Sequence, residues 1–298
     1  MTKKVNVLMS TYNGEKFLRE QIDSVIGQTG VDVSLLVRDD GSKDHTTSIL
    51  NDYKAEGKLD WYKADNLGPA LSFMHLLRDS NDADYYAFCD QDDFWQKDKL
   101  QTAVNMLETT DGPALYFSRT QLTDAELHPT SIVEIDPRLT FGESLVYEFV
   151  PGCTMVLNRK LRDMVNKYMP AYLPMHDVWV YSVALAVGSA IFFDKTPHIL
   201  YRQHTSNTIG QGRGQWHEWH RRFDRLTHSE HSRYRRACEI KKGFSDHMTS
   251  DNAKLLDKFI GAKHNAVKRL QLCFDSKYDC ARKDTRLLFN ISLLLNTY

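Results

Sequence analysis

Short apolar runs alternate with amphipathic stretches through the first third of the chain. Between the runs, apolar residues recur at helical spacing, as at Leu18, Ile22 and Val25. Strands that alternate with helices of this length predict right-handed βαβ units and a mostly parallel α/β sheet flanked by helices. Four runs have the length and composition of buried strands: VNVLM (5–9), VSLLV (33–37), LDWYK (59–63) and YYAFC (85–89).

The pattern changes after residue 113. A further strand-like run covers 114–118, an irregular stretch extends to about residue 150, and a strongly apolar helix is predicted over 176–188 with Gly188 at its end. From about residue 213 the sequence becomes polar, basic and helical. We therefore predict one α/β domain over 1–212, with halves of about 1–113 and 114–212, and a helical C-terminal extension over 213–298.

Composition narrows the class of protein. With 42% hydrophobic and 26% charged residues in 298, the chain is expected to fold as a globular protein. A net charge of -1 gives no reason to expect a nucleic-acid partner. Five scattered cysteines without a C-x-x-C pair fit a reducing compartment, and no signal-like or membrane-length apolar segment is visible. We expect a cytoplasmic protein.

Polar segments follow three of the predicted strands. In a parallel sheet, ligands bind beyond the carboxyl ends of the strands, so these segments are candidates for a common site. Two of the three are acidic. The segments are Ser10-Thr11-Tyr12-Asn13, Asp39-Asp40-Gly41-Ser42 and Asp90-Gln91-Asp92-Asp93.

The last of these segments has the chemistry of a metal site. In an extended chain Asp90 and Asp92 point to the same side, and two carboxylates that close need a cation or a shared proton. Mg²⁺ or Mn²⁺ prefers such oxygen ligands, and phosphates and water commonly complete its coordination sphere. The alternative is a solvated turn in which Asp92 or Asp93 caps the next helix.

The other candidate residues also have two interpretations. One interpretation of residues 39–42 is an ordinary turn, since Asp, Gly and Ser favour turns. The other is that one of the two aspartates accepts a hydrogen bond from a nucleotide base. Asp177 lies at the start of an apolar helix. It either stabilises the helix as an N-cap or as an acidic residue of the first turn, or it acts as a general base. His204 is a candidate metal or phosphate ligand, and Arg202 is a candidate phosphate partner.

Six segments occur in the order found in family 2 glycosyltransferases. The chain most resembles the bacterial rhamnosyltransferases that build polyrhamnose, O-antigen or capsule chains, over roughly residues 4–212. This resemblance implies the GT-A fold, in which a nucleotide-binding half merges with an acceptor-binding half. The segments are VNVLMSTYNGEKFLREQIDSVIGQT, LLVRDDGSKDHT, FCDQDDFWQKDKL, GCTMVLNR, MHDVWVYSVALAVG and ILYRQHTSNTIG.

The resemblance implies roles on the nucleotide side of the site. Ser10 and Tyr12 match positions that line the base and ribose of the donor. Asp40 matches the aspartate expected on the pyrimidine N–H, with Asp39 as its neighbour. Residues 10–13 together are therefore expected to contact the nucleotide.

The resemblance also implies the catalytic roles. Asp92 matches the metal ligand of the D-x-D pair, and Asp90 is expected to approach the ribose or the metal. Asp93 is expected to face the donor sugar, and Asp177 matches the catalytic base of an inverting enzyme. The implied cofactor is Mn²⁺ or Mg²⁺.

Two departures from the family pattern bear on specificity. Arg202 and His204 match the segment that closes over the diphosphate. The first departure is that the Q-x-x-R-W motif of processive members is absent, which favours addition of one or a few sugars. Related rhamnosyltransferases often have HDWW where this chain has residues 176–179 as HDVW.

The resemblance favours dTDP-rhamnose as the donor and a lipid-linked saccharide as the acceptor. UDP-linked galactose, glucose or N-acetylhexosamine remain alternatives. A nucleotidyltransferase would need a Gly-rich basic loop after the first strand, which STYNGEKF does not supply. A non-catalytic sugar- or lipid-binding protein would have no need for a D-x-D pair together with a distant base.

The C-terminal extension has its own alternatives. Basic residues such as Arg221, Arg222 and Arg225 are interleaved with aromatic side chains, a pattern that can bind an anionic membrane surface peripherally. The other interpretation is an amphipathic helical extension that packs on the domain or forms a homodimer.

Overall fold

The structure is a computed structural model that describes residues 2–134, 136–147, 150–204 and 231–298. Its first part follows the predicted alternation of strands and helices. The elements in chain order are β1 (Lys4–Thr11), α1 (Leu18–Ile26), β2 (Asp32–Asp39), α2 (Thr46–Ala55), β3 (Asp60–Lys63), α3 (Gly68–Asp79) and β4 (Tyr85–Cys89).

The second part is less regular and contains shorter strands. In chain order it comprises β5 (Phe94–Trp95), α4 (Lys99–Leu107), β6 (Ala114–Ser118), β7 (Gln121–Thr123), β8 (Pro129–Ile132), α5 (Phe141–Ser144), β9 (Val156–Asn158), α6 (Arg159–Val165), α7 (His176–Ala186), β10 (Ala190–Asp194) and β11 (Ile199–Arg202).

The described C-terminal residues are helical. The helices are α8 (Ser232–Phe244), α9 (Ser250–Gly261), α10 (Ala266–Cys273) and α11 (Lys283–Leu295). Short 3-10 turns are formed by Gly152–Thr154, Ser245–His247 and Ser276–Tyr278.

Seven strands form the central sheet in the order β10-β6-β9-β4-β1-β2-β3. All neighbouring pairs are parallel except those of β9, which runs antiparallel to both β4 and β6. The predicted α/β architecture with a mostly parallel sheet is confirmed. The reversed strand β9 was not predicted, because three residues carry too little periodicity to identify a strand.

A second sheet of four short strands, in the order β5-β11-β7-β8, lies beside the acidic segment. In it β5 pairs antiparallel with β11, so Phe94 is opposite Leu200 and Trp95 is opposite Ile199. This pairing brings the end of β11 next to Asp92 and Asp93. The strands β5, β7 and β8 were not predicted, because they have only two to four residues each.

Two apolar cores cover the two faces of the central sheet. One contains Val5, Val7 and Met9 of β1 with α1, α2 and α4, and the other contains Leu8 and Phe88 with α3 and α7. Helix α7 is buried nearly all round and ends where Gly188 adopts φ +73, as the sequence predicted.

The C-terminal helices share the second core with α7. Phe244, Phe259 and Phe289 are fully buried in it, so the described part of the extension packs against the α/β domain. The boundary at 212/213 and the basic residues Arg221, Arg222 and Arg225 lie outside the described residues, and the predictions made for them stay predictions. Within the described ranges, no helix has both the length and the apolar character needed to cross a bilayer.

Candidate active site

The acidic segment that follows β4 lies at the carboxyl edge of the central sheet. Burial raises the pKa of Asp90 to about 7, and the charges of Asp92 and Asp177 add to the shift. The structure therefore places Asp177 within electrostatic reach of a strand end 87 residues earlier in the chain (177 minus 90). The helix-cap alternative for Asp92 and Asp93 is wrong, because β5 follows them and α4 is preceded by Asp98.

Asp93 is the most deeply buried of these carboxylates, with 1% of its surface exposed. Its Oδ1 accepts a hydrogen bond from the Arg202 N–H at 3.2 Å, and the Cys153 thiol also hydrogen-bonds it. Its Oδ2 has no hydrogen-bond partner among the described residues. Burial, followed by the charges of Asp92 and Asp90, raises the pKa of Asp93 well above its usual range.

Asp92 is paired with His204. The distance from His204 Nε2 to Asp92 Oδ2 is 2.8 Å, and the imidazole lies against the Phe17 ring with centroids 5.0 Å apart. Adjacent ligand atoms around an octahedral ion with bonds of about 2.1 Å are about 3 Å apart, so this spacing suits two neighbouring ligands. Both residues are metal ligands in the prediction from the sequence, and the structure brings them together.

The donor set fits a hard divalent cation. Asp90, Asp92 and Asp93 repel one another in a partly dry environment, and a cation relieves this repulsion. Ligand atoms of Asp90, Asp93 and Cys153 all lie within 4.8 Å of one another. Burial raises the pKa of the Cys153 thiol well above its usual value, so the sulfur stays protonated, and the oxygens are the better ligands for Mn²⁺ or Mg²⁺.

Asp177 lies half-buried in the first turn of α7. Its Oδ1 accepts a hydrogen bond from the Val178 N–H at 2.7 Å, which fixes the orientation of the carboxylate. Gly152 packs against this turn: a Cβ placed on Gly152 would be 2.7 Å from His176 Nε2 and 3.1 Å from the Asp177 Cβ. Only glycine fits at residue 152 without moving the candidate base.

His176, the first residue of α7, packs this turn against aromatic rings of the core. Its ring lies 4.1 Å from the Phe73 ring and 4.8 Å from the Phe88 ring, centroid to centroid. Burial lowers the pKa of His176 to about 3, so the side chain is neutral near pH 7. Neither ring nitrogen has a hydrogen-bond partner in the described part of the chain.

The loop that follows β1 is fastened to the acidic segment by an amide. The Tyr12 N–H donates to Gln91 Oε1 at 2.9 Å, and Gln91 Nε2 donates back to the Tyr12 carbonyl at 3.2 Å. The phenol of Tyr12 stays accessible, since the residue is 46% exposed. The sequence predicted no role for Gln91, and the structure shows that it joins the two loops.

The loops that follow β1 and β2 are also connected. The Asn13 N–H donates to Ser42 Oγ at 2.9 Å, and the Lys43 N–H donates to Asn13 Oδ1 at 2.9 Å. Asn13 adopts φ +50, a left-handed conformation that asparagine tolerates better than most residues. Thr11 is buried and its hydroxyl donates to Asp39 Oδ1 at 3.3 Å.

The two aspartates that end β2 differ in their surroundings. Asp39 is fully buried, and its Oδ2 accepts hydrogen bonds from Gly41 N at 3.1 Å and Ser42 N at 3.0 Å, which is the turn interpretation. Asp40 forms a buried ion pair with Arg38 and accepts hydrogen bonds from Ser72 Oγ at 3.1 Å and Leu67 N at 3.3 Å.

Ser10 joins the same network, with its Oγ 2.7 Å from Ser72 Oγ. The structure thus gathers Ser10, Asp39 and Asp40 at one edge of the sheet, as the carboxyl-end rule predicts. Their contacts with a nucleotide stay predictions.

Arg202 lies deeper than a phosphate ligand at a surface would. It is 2% exposed, its Nε donates to the Asp92 carbonyl at 2.8 Å, and its guanidinium also contacts Glu20 and the Ala125 carbonyl. The guanidinium lies 4.3 Å from the centroid of the Phe17 ring. These contacts hold β11 against the acidic segment, and its binding to a diphosphate stays a prediction.

Lys99 is a residue of the site that the sequence analysis missed. Its side chain is completely buried, with Nζ 3.5 Å from the centroid of the Trp95 ring and without a hydrogen-bond partner among the described residues. Burial lowers its pKa to about 8, while the charge of Asp93 opposes that shift. In the sequence Lys99 looks like an ordinary solvated residue at a helix start, so no signal identified it.

A match to the family described as "Glycosyl transferase family 2" spans residues 6–161. The chain belongs to this family. The dTDP-rhamnosyl transferase RfbG of Shigella flexneri is 30% identical to it over 218 residues, which cover 68% of this chain and 73% of RfbG.

Solved structures confirm the GT-A fold of this family 2 glycosyltransferase. S. aureus TarS 1-349 in complex with UDP-GlcNAc superimposes with a TM-score of 0.62 at 14% identity, over 99% of this chain and 82% of TarS. The mannosyltransferase PcManGT from Pyrobaculum calidifontis, in complex with GDP-Man and Mn²⁺, superimposes with a TM-score of 0.51 at 14% identity, over 98% of this chain and 88% of that one.

Proposed function

We propose that this glycosyltransferase moves L-rhamnose from dTDP-rhamnose to a hydroxyl of a lipid-linked saccharide, with inversion at the anomeric carbon. The observation that carries the proposal is the electrostatic proximity of Asp177 to Asp90, because inverting transfer needs a base close to the donor site, on the face of the sugar opposite the leaving diphosphate. The choice of sugar rests on the likeness to RfbG, a dTDP-rhamnosyl transferase.

Asp177 acts as the general base. Its carboxylate accepts the proton of the acceptor hydroxyl while the hydroxyl oxygen attacks the anomeric carbon. The bond between that carbon and the diphosphate oxygen breaks, and the electron pair leaves with the nucleotide diphosphate. A single displacement through an oxocarbenium-like transition state inverts the centre. The Val178 N–H holds the carboxylate in place for this step.

The acidic segment prepares the site for the diphosphate. Asp92 and His204, with Asp90, would hold Mn²⁺ or Mg²⁺, which supplies positive charge to the departing diphosphate. Asp93 anchors the segment to β11 by accepting the Arg202 N–H, and the raised pKa of its carboxyl reflects surroundings that a bound cation would relieve. Gln91 positions the loop of residues 10–13, where Ser10, Tyr12 and the nearby Asp40 are assigned to the pyrimidine nucleotide.

A UDP-sugar donor is the alternative within the same chemistry. Uracil and thymine present the same ring N–H to an acceptor such as Asp40, so this contact does not separate them. The likeness to TarS, solved with UDP-GlcNAc, favours testing UDP donors beside dTDP-rhamnose.

A panel of nucleotide sugars tests the proposal. The purified chain, with Mn²⁺ and a lipid-linked oligosaccharide acceptor, is offered dTDP-rhamnose, UDP-glucose, UDP-galactose, UDP-GlcNAc and GDP-mannose, and release of nucleotide diphosphate is measured. We expect the fastest release from dTDP-rhamnose. Faster release from a UDP-sugar would identify that sugar nucleotide, and not dTDP-rhamnose, as the donor. Donor binding without release of nucleotide diphosphate in the whole panel would favour a non-catalytic binding protein.

The variant Asp177→Asn tests the base within the same assay. Loss of a general base lowers turnover by about 10² to 10⁴, while donor affinity, followed by thermal shift, stays unchanged. Asp257→Asn is the matched control, because Asp257 is an exposed aspartate that pairs with Lys241 on the C-terminal helices. Near-normal turnover of the Asp177→Asn enzyme would show that the base is another residue.

A further inference from the structure

The outer side of α11 is apolar. Its exposed positions repeat at helical spacing from Leu287, which is 60% exposed, through Ile291 at 38% to Leu294 at 61% and Leu295 at 62%. Lys283, one turn before Leu287 on the same side, is the other exposed residue of this helix. A surface helix normally presents polar residues to water, so this pattern indicates a covered face.

Helix α10 extends the apolar surface. Val267, Leu270 and Phe274 are 66%, 50% and 83% exposed. The end of α10 is fixed to α11, because Arg286 Nη2 donates to the Leu272 carbonyl at 2.9 Å and to the Cys273 carbonyl at 3.2 Å. We call the combined surface the C-terminal apolar face; it consists of Val267, Leu270, Phe274, Leu287, Ile291, Leu294 and Leu295.

The inner sides of the same helices are firmly packed. Leu272, Phe289 and Leu293 are fully buried, and the Phe289 ring stacks on the Phe259 ring at 5.9 Å. The helices therefore already have a core to fold against, and the apolar face is additional to it. Exposed large apolar side chains concentrated on two connected helices of a folded protein mark an interaction site.

Charge around the face has one sign. Lys268, Lys277 and Lys283 are exposed and form no ion pair within the ranges that the structure describes. The nearby carboxylates are neutralised by cations of the chain itself. Their pairs are Asp275 with Lys258 at 2.5 Å, Asp279 with Arg286 at 3.3 Å and Asp284 with Arg282 at 2.6 Å.

We propose that the C-terminal apolar face docks this enzyme on an anionic membrane surface. The leucine, isoleucine, valine and phenylalanine side chains enter the boundary between headgroups and acyl chains, and the three lysines pair with anionic headgroups. A second copy of the chain fits the face less well, because a two-fold contact brings the same unpaired lysines of both copies to one interface. The proposal concerns residues 267–295 and does not depend on which sugar is transferred.

Vesicle co-sedimentation of the full chain tests the proposal. The probes are vesicles of phosphatidylcholine alone and of phosphatidylcholine mixed with phosphatidylglycerol. We expect binding to the mixed vesicles, and the triple variant Leu287→Gln, Ile291→Gln and Leu294→Gln should weaken it by more than about tenfold, since each side chain loses its apolar burial. The matched control is Ile132→Gln, which removes an apolar side chain that is 41% exposed on β8.

A second set of variants separates charge from apolar contact. Reversal of Lys268, Lys277 and Lys283 to glutamate should reduce binding to the mixed vesicles by more than about tenfold and abolish their advantage over neutral vesicles. Lys254→Glu is its control, because Lys254 is exposed on α9 beside Asp251. Circular dichroism and melting curves establish that each variant folds.

Three results would overturn the proposal. One is wild-type protein that sediments with neither vesicle or equally with both. Another is a triple glutamine variant that binds as the wild type does. The third is light scattering that shows a dimer which the glutamine variant dissociates, without vesicle binding, since the face would then join two copies.

Discussion

Two strand ends of this enzyme carry adjacent aspartates, and their surroundings are opposite. Asp39 and Asp40, which end β2, are matched by donors from their own turn and by the Arg38 guanidinium. Asp90, Asp92 and Asp93 follow β4 and lie close together, and burial and the neighbouring carboxylates raise the pKa of Asp90 and of Asp93. The first set is satisfied within the fold, whereas the second has fewer partners: Asp92 pairs with His204, and Asp93 Oδ2 has no hydrogen-bond partner among the described residues.

This difference separates aspartates that stabilise the fold from aspartates that are retained for binding. A buried carboxylate with internal donors stabilises the fold, and its removal leaves those donors unpaired. Carboxylates that repel one another destabilise the fold unless a cation or protons join them, so they are retained where binding needs them. Substitutions in the two sets should therefore affect different observables.

The largest effect is expected from Asp92→Ala. Loss of the charge that binds the cation should lower kcat/KM by about 10² to 10³ and remove the rise in melting temperature that Mn²⁺ gives to the wild type. Activity assays with Mn²⁺ and with EDTA, beside Asp251→Ala as an exposed control on α9, measure both. Full wild-type activity in EDTA would contradict a metal site.

Asp39→Ala should act on stability instead. It leaves the Gly41 and Ser42 amides without their side-chain acceptor, at a cost of about 3 kcal/mol. The melting temperature should fall by roughly 6 to 12 °C, to the same extent with and without Mn²⁺. Asp52→Ala, which breaks the exposed pair with Arg19, should cost no more than about 1 kcal/mol. An equal loss in both variants would remove the distinction between the strand ends.

Gly152→Ala tests how closely Asp177 must approach the acidic segment. The added Cβ displaces His176 or Asp177, and a base moved by part of an ångström should lower kcat by about 10-fold to 100-fold. Donor affinity should be unchanged. In the control Gly112→Ala the new Cβ meets only Thr110 Oγ1 at 3.8 Å. If kcat is unaffected in Gly152→Ala, the position of this turn does not limit the reaction.

The smallest effect is a pH dependence assigned to Asp90. The pKa of about 7 in the folded state lies above the ordinary aspartate value of 3.8, so the folded state binds this proton more tightly and loses that stability as the pH rises through 7. The melting temperature of Asp90→Asn relative to wild type should therefore increase by about 5 °C between pH 5 and pH 8 in EDTA. Mn²⁺ should reduce the increase. A pH-independent difference would show that Asp90 is not repelled by its neighbours.

The sequence was a good guide wherever a pattern repeats within one element. The alternation of runs 5–9, 33–37 and 85–89 with helices predicted the parallel sheet, and the carboxyl-end rule then selected the three polar segments. Periodicity could not identify β5 or β9, because two or three residues contain no repeat.

Pairings across long separations were beyond the sequence. Nothing local to Arg202 indicates that it pairs with Glu20, which lies on α1. Nothing near Lys99 indicates that its charge is buried against Trp95. Both depend on how β5 and β11 meet, which the order of elements along the chain does not determine.

The reversed strand β9 has a consequence for how this surface can change. In a fully parallel sheet the residues that precede a strand lie at the far edge from the ligand, and mutations there affect stability alone. Because β9 enters the sheet from the catalytic edge, its preceding residues Gly152 and Cys153 touch Asp177 and Asp93. Substitutions before β9 and substitutions after β4 therefore act on one functional surface. We expect a change in one segment to be accompanied by a change in the other, both in related sequences and in engineered variants.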